Sequence, residues 1–149
     1  MAFDVQATLE SVEGYLSASG YIPVTMVGHP KAPCEEITGA IYMQGTTVAA
    51  LTLSTTVEVH TVMVRVLENA MTLPVADIEY RLARIAAQVS SDLAGDYDLA
   101  GSIRNIDIGG QYGAALSTEW GHVEIGGQVH RVVDITLPLV VDGSATMVA

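Results

Sequence analysis

Residues 119–141, EWGHVEIGGQVHRVVDITLPLVV, hold two runs of alternating apolar and polar side chains joined by Gly126-Gly127. Alternation with period two marks a strand with one buried face, and paired glycines accept the positive φ angles of a two-residue hairpin turn. Such a turn sets Ile125 opposite Gln128, Glu124 opposite Val129 and His122 opposite Arg131. On the returning strand Val133, Ile135, Leu137, Leu139 and Val141 share one face, and Val132, Asp134, Thr136, Pro138 and Val140 share the other. Pro138 removes a ladder donor, which predicts an edge or strand-end position there.

Upstream of this hairpin, a short strand is predicted over Ser102–Ile108, followed by the connection Gly109-Gly110-Gln111-Tyr112-Gly113. The acidic Asp96-Tyr97-Asp98 reads as a solvated turn. Before it, Ile78, Leu82, Ile85, Val89 and Leu93 form one stripe of a helix from Asp77 to Ala94. Asp77 suits an N-cap and an i, i+4 pair with Arg81, and Gly95 suits a left-handed stop. Thr55–Leu67 alternates strongly, with Val57, Val59, Thr61 and Met63 set against Glu58, His60, Val62 and Val64. Both faces turn apolar after Val62, so that end is expected to be covered on both sides. Ile37–Gln44 is a further strand, and residues 45–54 join the two in a Thr- and Ala-rich arm. A first helix spans Asp4 to Ser19, with Val5, Leu9, Val12 and Leu16 on one face, Asp4 as N-cap and Gly20 as stop. Pro23, Gly28, Pro30 and Pro33 make residues 21–36 an irregular connection. The sum is one α+β domain over residues 1–149, order α-β-β-α-β-β-β, with two helices packed on a mostly antiparallel sheet.

A chain of 149 residues can bury a core without disulfide or metal staples. Half of it is hydrophobic and only 15% is charged, against roughly 25% in ordinary globular proteins. Too few charges remain to coat a monomer, and burial against other subunits is the expected use of the excess apolar surface. The longest stretch without a charge, Ile37–Val57, is long enough to raise the question of a membrane span. Gly39, Gln44, Gly45, Ser54 and its threonines interrupt it and favour strands. The opening MAFDVQATLE lacks the basic and apolar regions of a signal peptide, so assembly in the cytoplasm is expected. A net charge of −11 opposes phosphate binding.

Chemistry is sparse. There is no G-x-S-x-G elbow, and Gly109–Gly113 is not G-x-G-x-x-G. His122 and Glu124 share a face with His130 opposite, and a self-satisfied cross-strand cluster of Glu124, His122 and Arg131 is expected rather than a metal site. His29 and Cys34 lack companion ligands. Lone Cys34, beside Glu35 and Glu36, has no positive neighbour to activate it and reads as a buried or incidental thiol. His60 reads as a satisfied sheet residue. The expectation is a chain that is not an enzyme and has no cofactor and no metal.

Four phrases run in order along most of the chain: Leu16-Ser17-Ala18-Ser19-Gly20-Tyr21, His29-Pro30-Lys31-Ala32-Pro33, residues 95–108 (GDYDLAGSIRNIDI) and residues 131–141 (RVVDITLPLVV). In these the chain resembles the tail terminator proteins of long-tailed phages, particularly those infecting actinobacteria. The resemblance implies a virion protein of the tail and neck. It would form a homo-oligomeric ring, a hexamer, that ends polymerisation of the tail tube protein and faces a head-side connector protein. DNA would pass through the channel without specific binding, and no membrane is involved. A head-completion or connector protein of the same neck is the alternative, followed by a small enzyme or ligand-binding α+β protein. The arm residues Thr46, Thr47, Val48, Ala49, Ala50 and Leu51 form either an ordinary hairpin loop or an apolar arm reaching a neighbouring subunit. With Gly109, Gly110, Gln111 and Tyr112 they are the expected intersubunit contacts, being uncharged and poorly suited to free loops.

Overall fold

The helices form where the apolar stripes predict them. In the computed structural model, which describes residues 4–51, 55–71, 74–95, 105–113 and 115–146, α1 is Val5–Ser19 and α2 is Val75–Gly95. The Asp4 carboxylate accepts the Ala7 N–H at 3.0 Å, and Gly20 closes α1 in the left-handed region at φ 80°. The α2 stripe Ile78, Leu82, Ile85, Val89 and Leu93 is buried throughout. The helix starts earlier than predicted because Pro74 presets the first turn, its carbonyl accepting the Asp77 and Ile78 N–H groups. Asp77 therefore lies inside the first turn and is not the cap. Arg81 turns away from Asp77 to the Glu68 carboxylate, which is 4% exposed and needs a counterion. The Tyr15 hydroxyl donates to the Asp92 carbonyl at 2.8 Å and ties the two helices together.

The six strands are β1 (Val24–Val27), β2 (Thr38–Leu51), β3 (Thr55–Asn69), β4 (Asn105–Ile106), β5 (Ser117–Ile125) and β6 (Gln128–Thr146). They form one sheet of order β1-β2-β3-β6-β4, with β5 also paired to β6, antiparallel except for the parallel β1–β2 pair. The fold is α+β, as expected, with β1 as an addition. This short strand begins after Pro23, ends at Gly28 (φ 95°) and covers the near end of β2. The terminal hairpin has the predicted register, Ile125↔Gln128 through His122↔Arg131, around Gly126 (φ 57°) and Gly127 (φ 80°). Pro138 is neither at an edge nor at a strand end. It pairs with Thr61 of β3, and its carbonyl accepts the Asp107 N–H at 2.9 Å on the other flank. A strand residue directs its nitrogen and oxygen to the same side. The missing donor thus falls where β5 stops opposite Thr136 and β4 begins opposite Leu139, and it breaks no bond to β3. Residues 96–98, 102–104 and 52–54, where the acidic turn, the start of a strand and the end of the arm were expected, lie outside the described residues.

The main core lies between the helices and the face carrying Val62, Val64, Val66, Val133, Ile135, Leu137 and Leu139. Each fully buried Leu or Val there contributes about 1.5–3 kcal/mol by leaving water. The opposite face is closed at one end over Ala40, Leu67 and Val132, as the apolar run after Val62 predicted. His130, fully buried, anchors the proline-rich connection there. Its Nε2 accepts the Cys34 N–H at 3.0 Å, which leaves Nδ1–H to donate to the Gln128 carbonyl. At the centre of this face the cross-strand pair Arg65↔Asp134 is bidentate, at 2.7 and 2.9 Å. The Arg65 guanidinium lies 5.8 Å from the Tyr42 ring centroid, and the hydrogen bonds to Asp134 push its pKa further up. Burial raises the Tyr42 phenol above its ordinary value, partly offset by the charge of Arg65 and reinforced by Asp134.

Candidate assembly surface

β2, β3 and β6, of 14, 15 and 19 residues, are each more than twice the usual ~5–6 residues of a strand. The segment expected to be a connecting arm is paired strand instead: Thr46↔His60, Thr47↔Val59 and Val48↔Glu58 continue the β2–β3 ladder to Leu51↔Thr56. β6 runs alongside as far as Thr55↔Thr146, so the projection is a three-stranded tongue. Its outer border is β2. β1 covers that border only as far as Ile41, and from Tyr42 to Leu51, among the described residues, no strand lies outside it. This free edge is roughly 30 Å long at about 3.3 Å per residue.

Free edges are normally guarded by lysine, proline, shortness or bulges. Here the edge belongs to the uncharged Ile37–Val57 stretch and contains no proline. Two bulges, at Met43/Gly45 and Val48/Ala50, are its protection. Gln44, Gly45, Thr46, Thr47 and Val48 are all exposed, Val48 by 57%. Ala49, Ala50 and Leu51 continue the strand.

A polar chain fixes the root of the tongue. The nearly buried His60 donates Nε2–H to the Glu58 carboxylate at 3.0 Å, leaving Nδ1 to accept the Thr46 hydroxyl at 3.0 Å. Hydroxyl, imidazole and carboxylate in series are also the skeleton of a nucleophilic triad. These three sit on the face of a paired hairpin, and none of them lines the groove beside β1, the one beside Glu68 or the one between α2 and β5.

No protein-family model matches the chain, and no curated protein matches it.

The second predicted contact segment is built around Asp107. This side chain is 4% exposed and accepts the Gln111 N–H at 2.8 Å and the Tyr112 N–H at 2.9 Å, while Gly110, at φ 75°, accepts the Gly113 N–H. The connection is thus an ordered turn, with Gly109 and Gln111 exposed. Tyr112 is half-buried and packs within the chain against Val57, Val59 and Val140 at the root of the tongue. Tyr112 thus packs on β3 and β6, on the sheet face away from the helices. Sequence reasoning passed over Asp107, although an Asp shortly before Gly-Gly is a turn-forming signal.

The expected cluster of Glu124, His122 and Arg131 is replaced by another. Arg131 makes a bidentate pair with Glu79, at 2.5 and 3.3 Å, donates to the Gly121 carbonyl and lies 5.3 Å from the Trp120 ring centroid. α2 crosses this face and presents Glu79 to the guanidinium, whereas the Glu124 side chain stays exposed. His29 stacks on Tyr42 with centroids 4.2 Å apart, and Cys34 is buried. Among the described residues no three His, Cys, Asp or Glu side chains are grouped to hold a metal ion.

Proposed function

We propose that the chain is a structural ring subunit, the tail terminator at the head-proximal end of a phage tail tube. The observation that supports a ring is the long, uncharged edge of β2, beside which no strand lies among the described residues. Copies that each carry −11 repel one another, so contact between them favours surfaces without carboxylates. The phrase resemblance, running from Leu16 to Val141, supports the particular ring. Six copies carry 6 × −11 = −66 formal charges, and a share of them facing the channel would let DNA pass without adhering. Lysines and arginines lining the channel would overturn that last point.

The test is solution mass by light scattering, alone and with tube protein added. A ring of six has a mass of about 94 kDa, from 6 × 15.7 kDa. Val48→Asp should abolish the ring while the monomer's circular dichroism stays unchanged, and a ring that survives this change removes the tongue from the interface. Deleting the gene separates the terminator from the neck connector. Tails of uncontrolled length support the terminator, and tails of normal length that fail to join heads support the connector.

A further inference from the structure

A free edge needs a receiving surface, and the same chain has one at the far side of its sheet. β5 pairs with β6 on one flank, and among the described residues its other flank has no strand. Beside it runs a groove of about 380 Å³ between α2 and the start of β5. The helix contributes Ala83, Ala86, Ala87 and Ser90, and the strand side contributes Ser117, Thr118 and Trp120. No lining residue is ionisable. The groove beside β1 contains Lys31, Glu35 and Glu36, and that beside Glu68 contains Arg81 as well. Small side chains and a free strand flank suit an extended segment with small side chains and unsatisfied backbone groups.

The geometry points to the occupant being the β2 edge of a second copy, laid antiparallel against β5 so that the sheet continues from subunit to subunit. This rests on the ring reading and specifies its interface. Strand sense alternates from β2 through β3 and β6 to β5, so β2 and β5 run in opposite directions within one chain. A ring that keeps one sheet face toward its axis preserves that sense and brings the two edges together antiparallel. It also preserves sidedness. Thr46 and Val48 lie opposite His60 and Glu58, on the sheet face that carries Val62 and Val64 toward the helices. Thr118 and Trp120 lie opposite Ile135 and Val133 on that same face. Thr46 and Val48 of one copy therefore enter the groove of the next, and Thr47 points away. The contact is heterologous, and each copy both gives an edge and receives one.

The experiment pairs Thr118→Cys with Thr46→Cys, Thr47→Cys or Val48→Cys in one chain. Oxidation is followed by alkylation before denaturation, so that buried Cys34 stays silent. Cross-strand Cα separations of about 4.5–5.5 Å match those of a disulfide. The expected result is a ladder of covalent oligomers from 46/118 or 48/118, its loss with 47/118, and only dimers when the two single variants are mixed. Ala83→Glu, at an exposed position of α2, should keep the helical signal and lose the oligomer. A ring that forms without the ladder, or that survives Ala83→Glu, overturns the pairing and leaves the ring reading intact. A ladder from open filaments that never close supports the pairing and overturns the terminator reading. A monomer that gives neither ring nor ladder, with tube protein present, overturns both.

Discussion

Replacing Asp107 tests whether one buried carboxylate organises the turn at the root of the tongue. Asp107→Ala removes the acceptors of the Gln111 and Tyr112 N–H groups, bonds of 2.8 and 2.9 Å. Hydrogen bonds to a charged group contribute about 1.5–3 kcal/mol each, a gross loss of about 3–6 kcal/mol. Two effects return part of it. Gln111 is exposed and Tyr112 only half-buried, so the freed N–H groups can reach water, and alanine carries no desolvation cost for a carboxylate. A net loss of about 2–3 kcal/mol remains. Asp107→Asn keeps one acceptor oxygen and should lose about 1 kcal/mol. Urea unfolding followed by circular dichroism reads both values, and an unchanged m-value would show that the two-state transition is preserved. Amide exchange should accelerate at Gln111 and Tyr112 and stay slow in α2. If Asp107→Ala stays within about 0.5 kcal/mol of the parent, the range of an ordinary surface change, the argument fails.

The turn glycines should differ from each other. A Cβ on Gly126 would meet the Pro33 ring at 2.8 Å at φ 57°, whereas one on Gly127, at φ 80°, meets nothing within 4 Å. Gly126→Ala should therefore cost about 2–4 kcal/mol, backbone strain plus overpacking, and Gly127→Ala only about 1–2 kcal/mol, in the same urea assay; equal losses would show that Pro33 is not a constraint. For Tyr42, the raised folded pKa means that its contribution is fully present below the unfolded value of 10.0 and is lost as pH rises through the folded value. Stability should thus fall with alkaline pH less steeply in Tyr42→Phe than in the parent, and parallel pH profiles would contradict the assignment.

The local features were legible. Gly126-Gly127 accepts the positive φ angles of a two-residue turn, and alternation on both sides of it then sets the faces, so the hairpin register followed from a few residues. The helix stripes and the Asp4 and Gly20 ends were equally direct. The tongue was not, because Thr46-Thr47-Val48-Ala49-Ala50 lacks an apolar-polar alternation and its pairing depends on β6, far along the chain. The polar partnerships escaped for a similar reason. Neighbour rules along a helix offered Asp77 to Arg81 and cross-strand rules offered Glu124 to Arg131, but packing of α2 on the sheet supplied Glu68 and Glu79 instead. Of the predicted contact residues, Thr46, Thr47 and Val48 are exposed as an assembly surface requires, while Tyr112 was drawn inward by the apolar patch at Val57, Val59 and Val140.

The ladder between β3 and β6, in constant register from Asn69↔His130 to Val57↔Asp142 and shifted only at the tip pair Thr55↔Thr146, also sets how the tongue bears load. Antiparallel hydrogen bonds lie perpendicular to the strands, so tension along the tongue shears them together, whereas a sideways pull on the β2 edge peels them one after another. The projection is accordingly strong in tension and compliant across its width, and a neighbouring molecule that grips its border can bend it long before it can draw it out.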